Sequence, residues 1–225
     1  MIRNLIFHLF PIEGPIWSWH VEQLIRYKSV WNGKRVVVLA LGAGTADETA
    51  VRRALGPLDA EILVRQNQSY RGEAAHFVEA ISLLESVRPD ETTFYAHAKG
   101  VSRTEREHWI RRWCDAMYRL NLGNVTAVDR HLLTKKAVGA FRLIKNHSGS
   151  PWHYSGTFWW IRHDALFAPG WDDVPGERYA VEGYPGRRVA LEDSVSLTED
   201  NVPAELLYNG WVDEPRIQAW EKALA

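Results

Sequence analysis

Cysteine is almost missing from this chain. Cys114 is the only one in 225 residues, which excludes an intrachain disulfide and suits a reducing compartment. It sits in Trp113-Cys114-Asp115-Ala116-Met117, a stretch that reads as helix, so a buried structural thiol is expected rather than a nucleophile. With one cysteine and nine scattered histidines, no cluster has the spacing of a zinc site. Long apolar runs are missing too: none approaches the roughly 18 residues of a membrane span. Met1 to Phe10 lacks the basic region, long apolar stretch and cleavage site of a signal peptide. A cytoplasmic protein is the expectation, with a peripheral place at the inner membrane left open. Charge of one sign is also lacking. The 27 basic and 28 acidic residues leave a net charge of -1, with no global pull toward nucleic acid. Neither a P-loop nor a G-x-S-x-G elbow occurs.

What is present is a foldable core and much tryptophan. Apolar residues make up 46% of the chain and charged residues 24%, which excludes a disordered polymer and supports one large domain. The 11 Trp are unusual, because a buried indole N–H needs an acceptor; flat indole faces also stack on sugar rings.

Apolar β-rich runs alternate with helical ones. Strands are predicted at Leu5 to Phe10, Arg35 to Leu41, Glu61 to Val64 and Thr92 to Ala96. Helices are predicted at Trp17 to Trp31, from a cap at Thr45 or Asp47 to Leu55, and at Gly72 to Val87. Arg35 to Leu41 looks apolar on both faces, which indicates a buried parallel strand. This order predicts an α/β fold with a mostly parallel, doubly wound central sheet flanked by helices. Helices then follow at Thr104 to Leu122 and Val125 to Leu133, strands at Ala137 to Ile144 and Gly156 to Ile161, and helices at Arg188 to Leu197 and Asp213 to Ala223. Phe167 to Arg187, rich in Pro, Gly, Trp and Asp, reads as a long loop. No linker splits the chain, so residues 1–225 are expected to form one domain.

Ligands of such sheets bind beyond the carboxyl ends of the strands. The segments to inspect are Gly42 to Thr45, Gln66 to Arg71, His97 to Ser102 and whatever follows Trp160. Gly42-Ala43-Gly44-Thr45 is half of a dinucleotide-binding pattern; Asp47 stands where the third glycine belongs, and a tight turn is the plainer reading. Phe94-Tyr95-Ala96-His97-Ala98-Lys99-Gly100 delivers an imidazole and an ammonium to a strand end, a good phosphate site, and Gly100 lets the chain turn away. A solvated loop is the alternative. In Tyr154-Ser155-Gly156-Thr157-Phe158-Trp159-Trp160 the small residues allow a ligand near the backbone, and alternation sends Trp159 and Trp160 to opposite faces. One of the two is expected in the core and the other toward a cleft. Glu192 and Asp193 could act as a general base and its orienting group, or merely favour a helix start.

Together these segments resemble bacterial GT-A-like glycosyltransferases, especially the group around rhamnan synthesis and related capsule or lipopolysaccharide sugar transferases. Asn67-Gln68-Ser69-Tyr70-Arg71-Gly72 loosely resembles that group's Asn-x-Gly-x-Asp stretch. His97-Ala98-Lys99-Gly100 resembles its His-Thr-Lys segment, and Ser155 to Trp160 its Ser-Gly-Asn-Phe-Trp-Trp segment, with Thr157 in place of Asn. The resemblance implies a nucleotide-binding half at 1–100 and an acceptor-side half at 101–225. It implies a nucleoside-diphosphate sugar as donor and a carbohydrate or lipid-linked acceptor. Asn67, Arg71, His97, Lys99, Gly100, Ser155, Gly156, Thr157, Trp159 and Trp160 would bind substrate, and Glu192, with Asp193 second, would be the base. Most GT-A enzymes carry Asp-x-Asp after the fourth strand to hold a divalent ion; here that place reads His97-Ala98-Lys99. The expectation is therefore a metal-free site with Lys99 supplying the charge, an Mn²⁺ or Mg²⁺ ion staying open. The rivals are a non-catalytic carbohydrate- or nucleotide-sugar-binding protein and another nucleotide-dependent α/β enzyme, an oxidoreductase or methyltransferase built on Gly42 to Thr45.

Overall fold

The computed structural model describes residues 1–101, 107–145 and 149–225. The predicted helix start at Thr104 and the end of the 97–102 segment lie outside them.

Four parallel strands, β1 (Ile2–Leu9), β2 (Arg35–Leu41), β3 (Glu61–Gln66) and β4 (Glu91–His97), form the first part of the sheet. They are joined through α1 (Ile16–Arg26), α2 (Glu48–Leu55) and α3 (Phe77–Ser82). After α4 (Glu107–Leu122) and α5 (Val125–Leu132) come β5 (Ala137–Gly139), the small pair β6 (Arg142–Leu143) and β7 (His153–Tyr154), then β8 (Trp159–Arg162). The chain ends with α6 (His163–Leu166), α7 (Tyr184–Arg188), β9 (Ser194–Ser196), α8 (Ala204–Leu207) and α9 (Glu214–Leu224). The seven-stranded sheet has the order β3-β2-β1-β4-β8-β5-β9. Only β8 runs against its neighbours. This is the predicted Rossmann-like α/β fold with a mostly parallel sheet, and both halves of the chain share that sheet.

Alternation along each strand builds two cores. Leu5, Phe7, Val37, Leu39, Phe94 and Trp160 point to one face, packed by α1, α2 and α4. Ile6, Val36, Val38, Tyr95 and Trp159 point to the other, packed by α3, α6 and α7. β2 is covered on both sides, as its apolar run predicts. Among the described residues no helix is long and apolar enough to cross a membrane.

Several boundaries differ from expectation, each for a local reason. The first helix stops at Arg26 and continues as a 3₁₀ turn, Lys28–Val30. The predicted helix from Gly72 splits into a 3₁₀ turn, Gly72–Ala75, and the short α3. The expected strand from Ala137 breaks at Phe141, which has φ +59°. β8 begins only at Trp159, because Gly156 and Thr157 take φ +97° and +63°. Within the predicted loop, α7 begins at Tyr184. The predicted helix over Arg188 to Leu197 is wrong. Val189 is extended, Leu191–Asp193 is one 3₁₀ turn, and Ser194–Ser196 pairs with β5, so a sheet edge overrides the helical charge pattern.

Candidate functional site

The strand order reverses direction between β1 and β4, and His8 and His97 stand opposite each other at the carboxyl ends of these two strands. A cavity of about 570 Å³ opens there. That is the position and size of a small-ligand site in an open α/β sheet. Its walls come from both halves of the chain: Asn67, Ser69, Gly72 and Glu73 after β3, His97 to Val101 at and after the end of β4, Ser155 and Thr157 before β8, Arg178, Tyr179 and Glu182 ahead of α7, and Tyr208 after α8.

The turn after β4 is built around Lys99. Its N–H donates to the His97 carbonyl at 2.8 Å, a tight three-residue turn. Its own carbonyl pairs with Nε2 of buried His20 at 2.9 Å, and His20 Nδ1 with the Tyr118 hydroxyl at 2.9 Å. Gly100 has φ +88°, and an added Cβ would meet Ile110 Cγ2 at 2.5 Å, so glycine is required twice over. The Lys99 ammonium lies 4.4 Å from the Trp113 ring centre and 5.8 Å from that of Tyr208. Burial pushes its pKa down, but Tyr208 and Glu182 beside it more than offset this, and the net shift is upward. Lys99 is thus a fixed cation in the cavity wall, with aromatic faces holding it in place. Arg178 adds a guanidinium at the exposed mouth.

Loop 155–157 closes the opposite wall. The Gly156 N–H donates to Glu182 Oε1 at 2.7 Å. A Cβ on Gly156 would lie 2.7 Å from Met117 Sδ, so only glycine lets this loop approach α4. Thr157 is buried at φ +63°, a left-handed conformation costly for a β-branched residue.

A buried polar cluster lies at the cavity's inner end. His97 Nδ1 donates to the Glu73 carboxylate. His8 stacks on His76 with centroids 6.3 Å apart, and its Nε2 has no hydrogen-bond partner. Burial, with His97 and His76 nearby, lowers the His8 pKa to about 4 despite the opposing Glu73 carboxylate. His20 falls to about 3, mainly by burial, so both rings are neutral near pH 7. Among the described residues, no group of three or more His, Cys, Asp or Glu side chains is placed to ligate a metal ion.

The structure brings Asn67, His97, Lys99, Gly100, Ser155 and Thr157 to one cavity and sets Gly156 in its wall loop. It does not bring the rest. Trp159 and Trp160 lie on opposite faces as alternation requires, but both are fully buried. Trp159 stacks on Tyr95 at 5.0 Å, and Trp160 Nε1 donates to the Asn121 carbonyl at 3.1 Å, so neither offers a face to a sugar. Arg71 packs against Gly176 rather than lining the cavity. Glu192 and Asp193 precede β9 and therefore lie at the amino end of the sheet, opposite the cavity. Glu192 is exposed, and Asp193 pairs with Lys136 at 3.4 Å. The Gly42 to Thr45 turn closes on itself through Thr45 Oγ1 donating to the Gly42 carbonyl at 2.8 Å, and Asp47 caps α2. Cys114 is buried and its thiol pushed up to about 12 by that burial, a structural residue as expected.

Sequence reasoning missed Glu73, Glu182, Arg178, Tyr208 and His8. Glu182 and Arg178 were hidden in the predicted loop. His8 is the last residue but one of the first strand, between apolar Phe7 and Leu9, and that polar break near a carboxyl strand end was the available signal.

No protein-family model matches the chain, and none of the curated proteins matches it. Among solved structures it is similar to a crystal structure of 4-diphosphocytidyl-2C-methyl-D-erythritol synthase, with 14% identity and a TM-score of 0.39 over 94% of this chain and 98% of that one.

Proposed function

We propose that this chain transfers a sugar from a nucleoside-diphosphate sugar to a hydroxyl of a carbohydrate or lipid-linked acceptor, using the cavity at the β1/β4 strand ends. The observation that carries this reading is Lys99, an ammonium fixed between Trp113 and Tyr208 at the sheet's switch point. A departing diphosphate gathers negative charge, and a preorganised cation there stabilises the transition state more than the ground state. Arg178 at the mouth supports the same anion. Asn67 and Ser69 supply polar groups on the nucleoside side, and Ser155 and Thr157 on the side of the second half. The base is sought among the carboxylates and imidazoles of the cavity, Glu73, Glu182, His8 and His97, rather than at Glu192. A cation in place of Asp-x-Asp makes the reaction independent of a divalent ion in this reading.

The test is nucleoside diphosphate release from UDP-, GDP- and dTDP-sugars, with and without oligosaccharide acceptors and EDTA. Release from one donor, stimulated by an acceptor and persisting in EDTA, is expected. Activity abolished by EDTA and restored by Mn²⁺ or Mg²⁺ would overturn the metal-free part. Binding of a nucleoside diphosphate without turnover of any donor would make the protein a binding module.

A further inference from the structure

We infer that Glu73 and His97 act as a carboxylate–imidazole pair that takes the proton from the acceptor hydroxyl. This inference rests on the transferase reading above. His97 lines the cavity, and its Nδ1 is held by the Glu73 carboxylate. In the neutral imidazole that bond selects the tautomer with the proton on Nδ1 and the lone pair on Nε2. No group among the described residues hydrogen-bonds His97 Nε2, so the basic atom is unengaged in a ligand-sized space. Glu73 is only 8% exposed, and its 3₁₀ turn leaves Gly72 at φ +56°. Burial of this kind keeps the carboxylate on the imidazole rather than on water.

The neighbours of the pair leave it in control of the proton. His8, across the strand gap, is neutral, and its depressed pKa follows from burial first. The Tyr95 hydroxyl, near Glu73, is pushed well above its ordinary value by burial and stays protonated. Glu182, the other carboxylate of the cavity, is committed to the Gly156 N–H and lies beside Lys99. Proton acceptance and leaving-group stabilisation then come from His97 and Lys99, two residues apart on one turn.

The step balances without a further reactant. The acceptor O–H proton moves to His97 Nε2 as the acceptor oxygen bonds to the anomeric carbon. The bond from that carbon to the phosphate oxygen breaks, and its electron pair leaves with the nucleoside diphosphate beside Lys99. Nε2 later releases its proton to water. His97 is the catalytic residue here, and Glu73 is a positioning residue.

The experiment compares parent, His97→Gly, His97→Asn, Glu73→Gln and Glu73→Asp for nucleoside diphosphate binding by calorimetry and for donor turnover with acceptor. Both His97 variants should bind the nucleotide within about threefold of the parent and lose about 10²-fold or more in kcat. Free imidazole should restore His97→Gly at least about tenfold, since the vacated space admits it. Glu73→Gln should lower kcat with KM for donor unchanged, and Glu73→Asp should recover part of it. Turnover retained in the His97 variants overturns the inference, as does a folded His97→Gly that binds nucleotide yet ignores imidazole. Lost nucleotide binding in both His97 variants would place this ring on the diphosphate and also overturns it. A parent that binds no nucleoside diphosphate overturns the transferase reading itself, and this inference with it.

Discussion

Polar groups gather at both ends of the sheet, and the two clusters are partnered differently. At the amino end, His163 is buried within a closed set of partners. Its Nε2 meets the Thr93 hydroxyl at 2.7 Å and its Nδ1 the Ser86 hydroxyl at 2.8 Å, while Glu91 accepts from Asn4 and Ser86 at 2.8 Å each. Arg162 pairs there with Asp164 at 2.5 Å, and Asp193 with Lys136. At the carboxyl end, His8 Nε2 and Trp113 Nε1 are buried without partners, Thr157 is strained, and His97 and Lys99 face an open cavity. A charge-rich cluster whose ring nitrogens are all hydrogen-bonded, like that of His163, stabilises a fold; the one with valences left over around a cavity is where we propose the ligand binds.

Substitutions at the two ends should separate along this line. The largest effect is expected from Lys99→Met, which keeps the side-chain stem between Trp113 and Tyr208 but removes the charge. Turnover should fall about 10²- to 10³-fold, with a melting temperature close to the parent's. At the other end, His163→Ala should do the reverse. It strands buried partners at a cost of about 2–3 kcal/mol in stability, read by chemical denaturation, while donor turnover per folded molecule is unchanged.

Stability against pH sharpens the contrast. The folded pKa values of His8 (about 4) and His20 (about 3) lie below the 6.5 of an exposed histidine. Below pH 6.5 the unfolded chain therefore binds more protons at these positions than the folded one. Stability from these groups is full above pH 6.5 and falls as pH drops toward about 4, by about 1.4 kcal/mol per group per pH unit. Thermal melts from pH 7 to 5 should show a steady decline, and His20→Gln should flatten it by one group's share.

A smaller gain is expected from Thr157→Asn, because Asn tolerates the left-handed conformation that Thr157 holds at φ +63°. Relief of that strain should add about 1 kcal/mol, measured as a shifted denaturation midpoint. The smallest effect should come from Glu192→Gln and Asp193→Asn, which sit at the amino end of the sheet, away from the cavity, and should leave turnover within about twofold of the parent.

The sequence made the sheet legible because hydrophobic alternation is local. The runs in β1, β2 and β4 and the glycines at 100 and 156 could be read directly. That Lys99 and His97 stand at the cavity end of the sheet could be read because a strand end is a definable address. What could not be read depends on distant contacts. Ser194 to Ser196 becomes a strand only because β5 offers an edge, and that pairing carries Glu192 away from the cavity. Trp159 and Trp160 look like ligand platforms in isolation, yet α3 and α7 cover one and α4 the other. Glu73 and His97 are 24 residues apart, and no periodicity announces their meeting.

The most direct measurement is a calorimetric titration of UDP, GDP and dTDP into the parent, Lys99→Met and Glu192→Gln. The account predicts that one nucleoside diphosphate binds the parent and Glu192→Gln alike and binds Lys99→Met at least about tenfold more weakly. Equal binding to parent and Lys99→Met, loss of binding in Glu192→Gln, or no binding at all would contradict it.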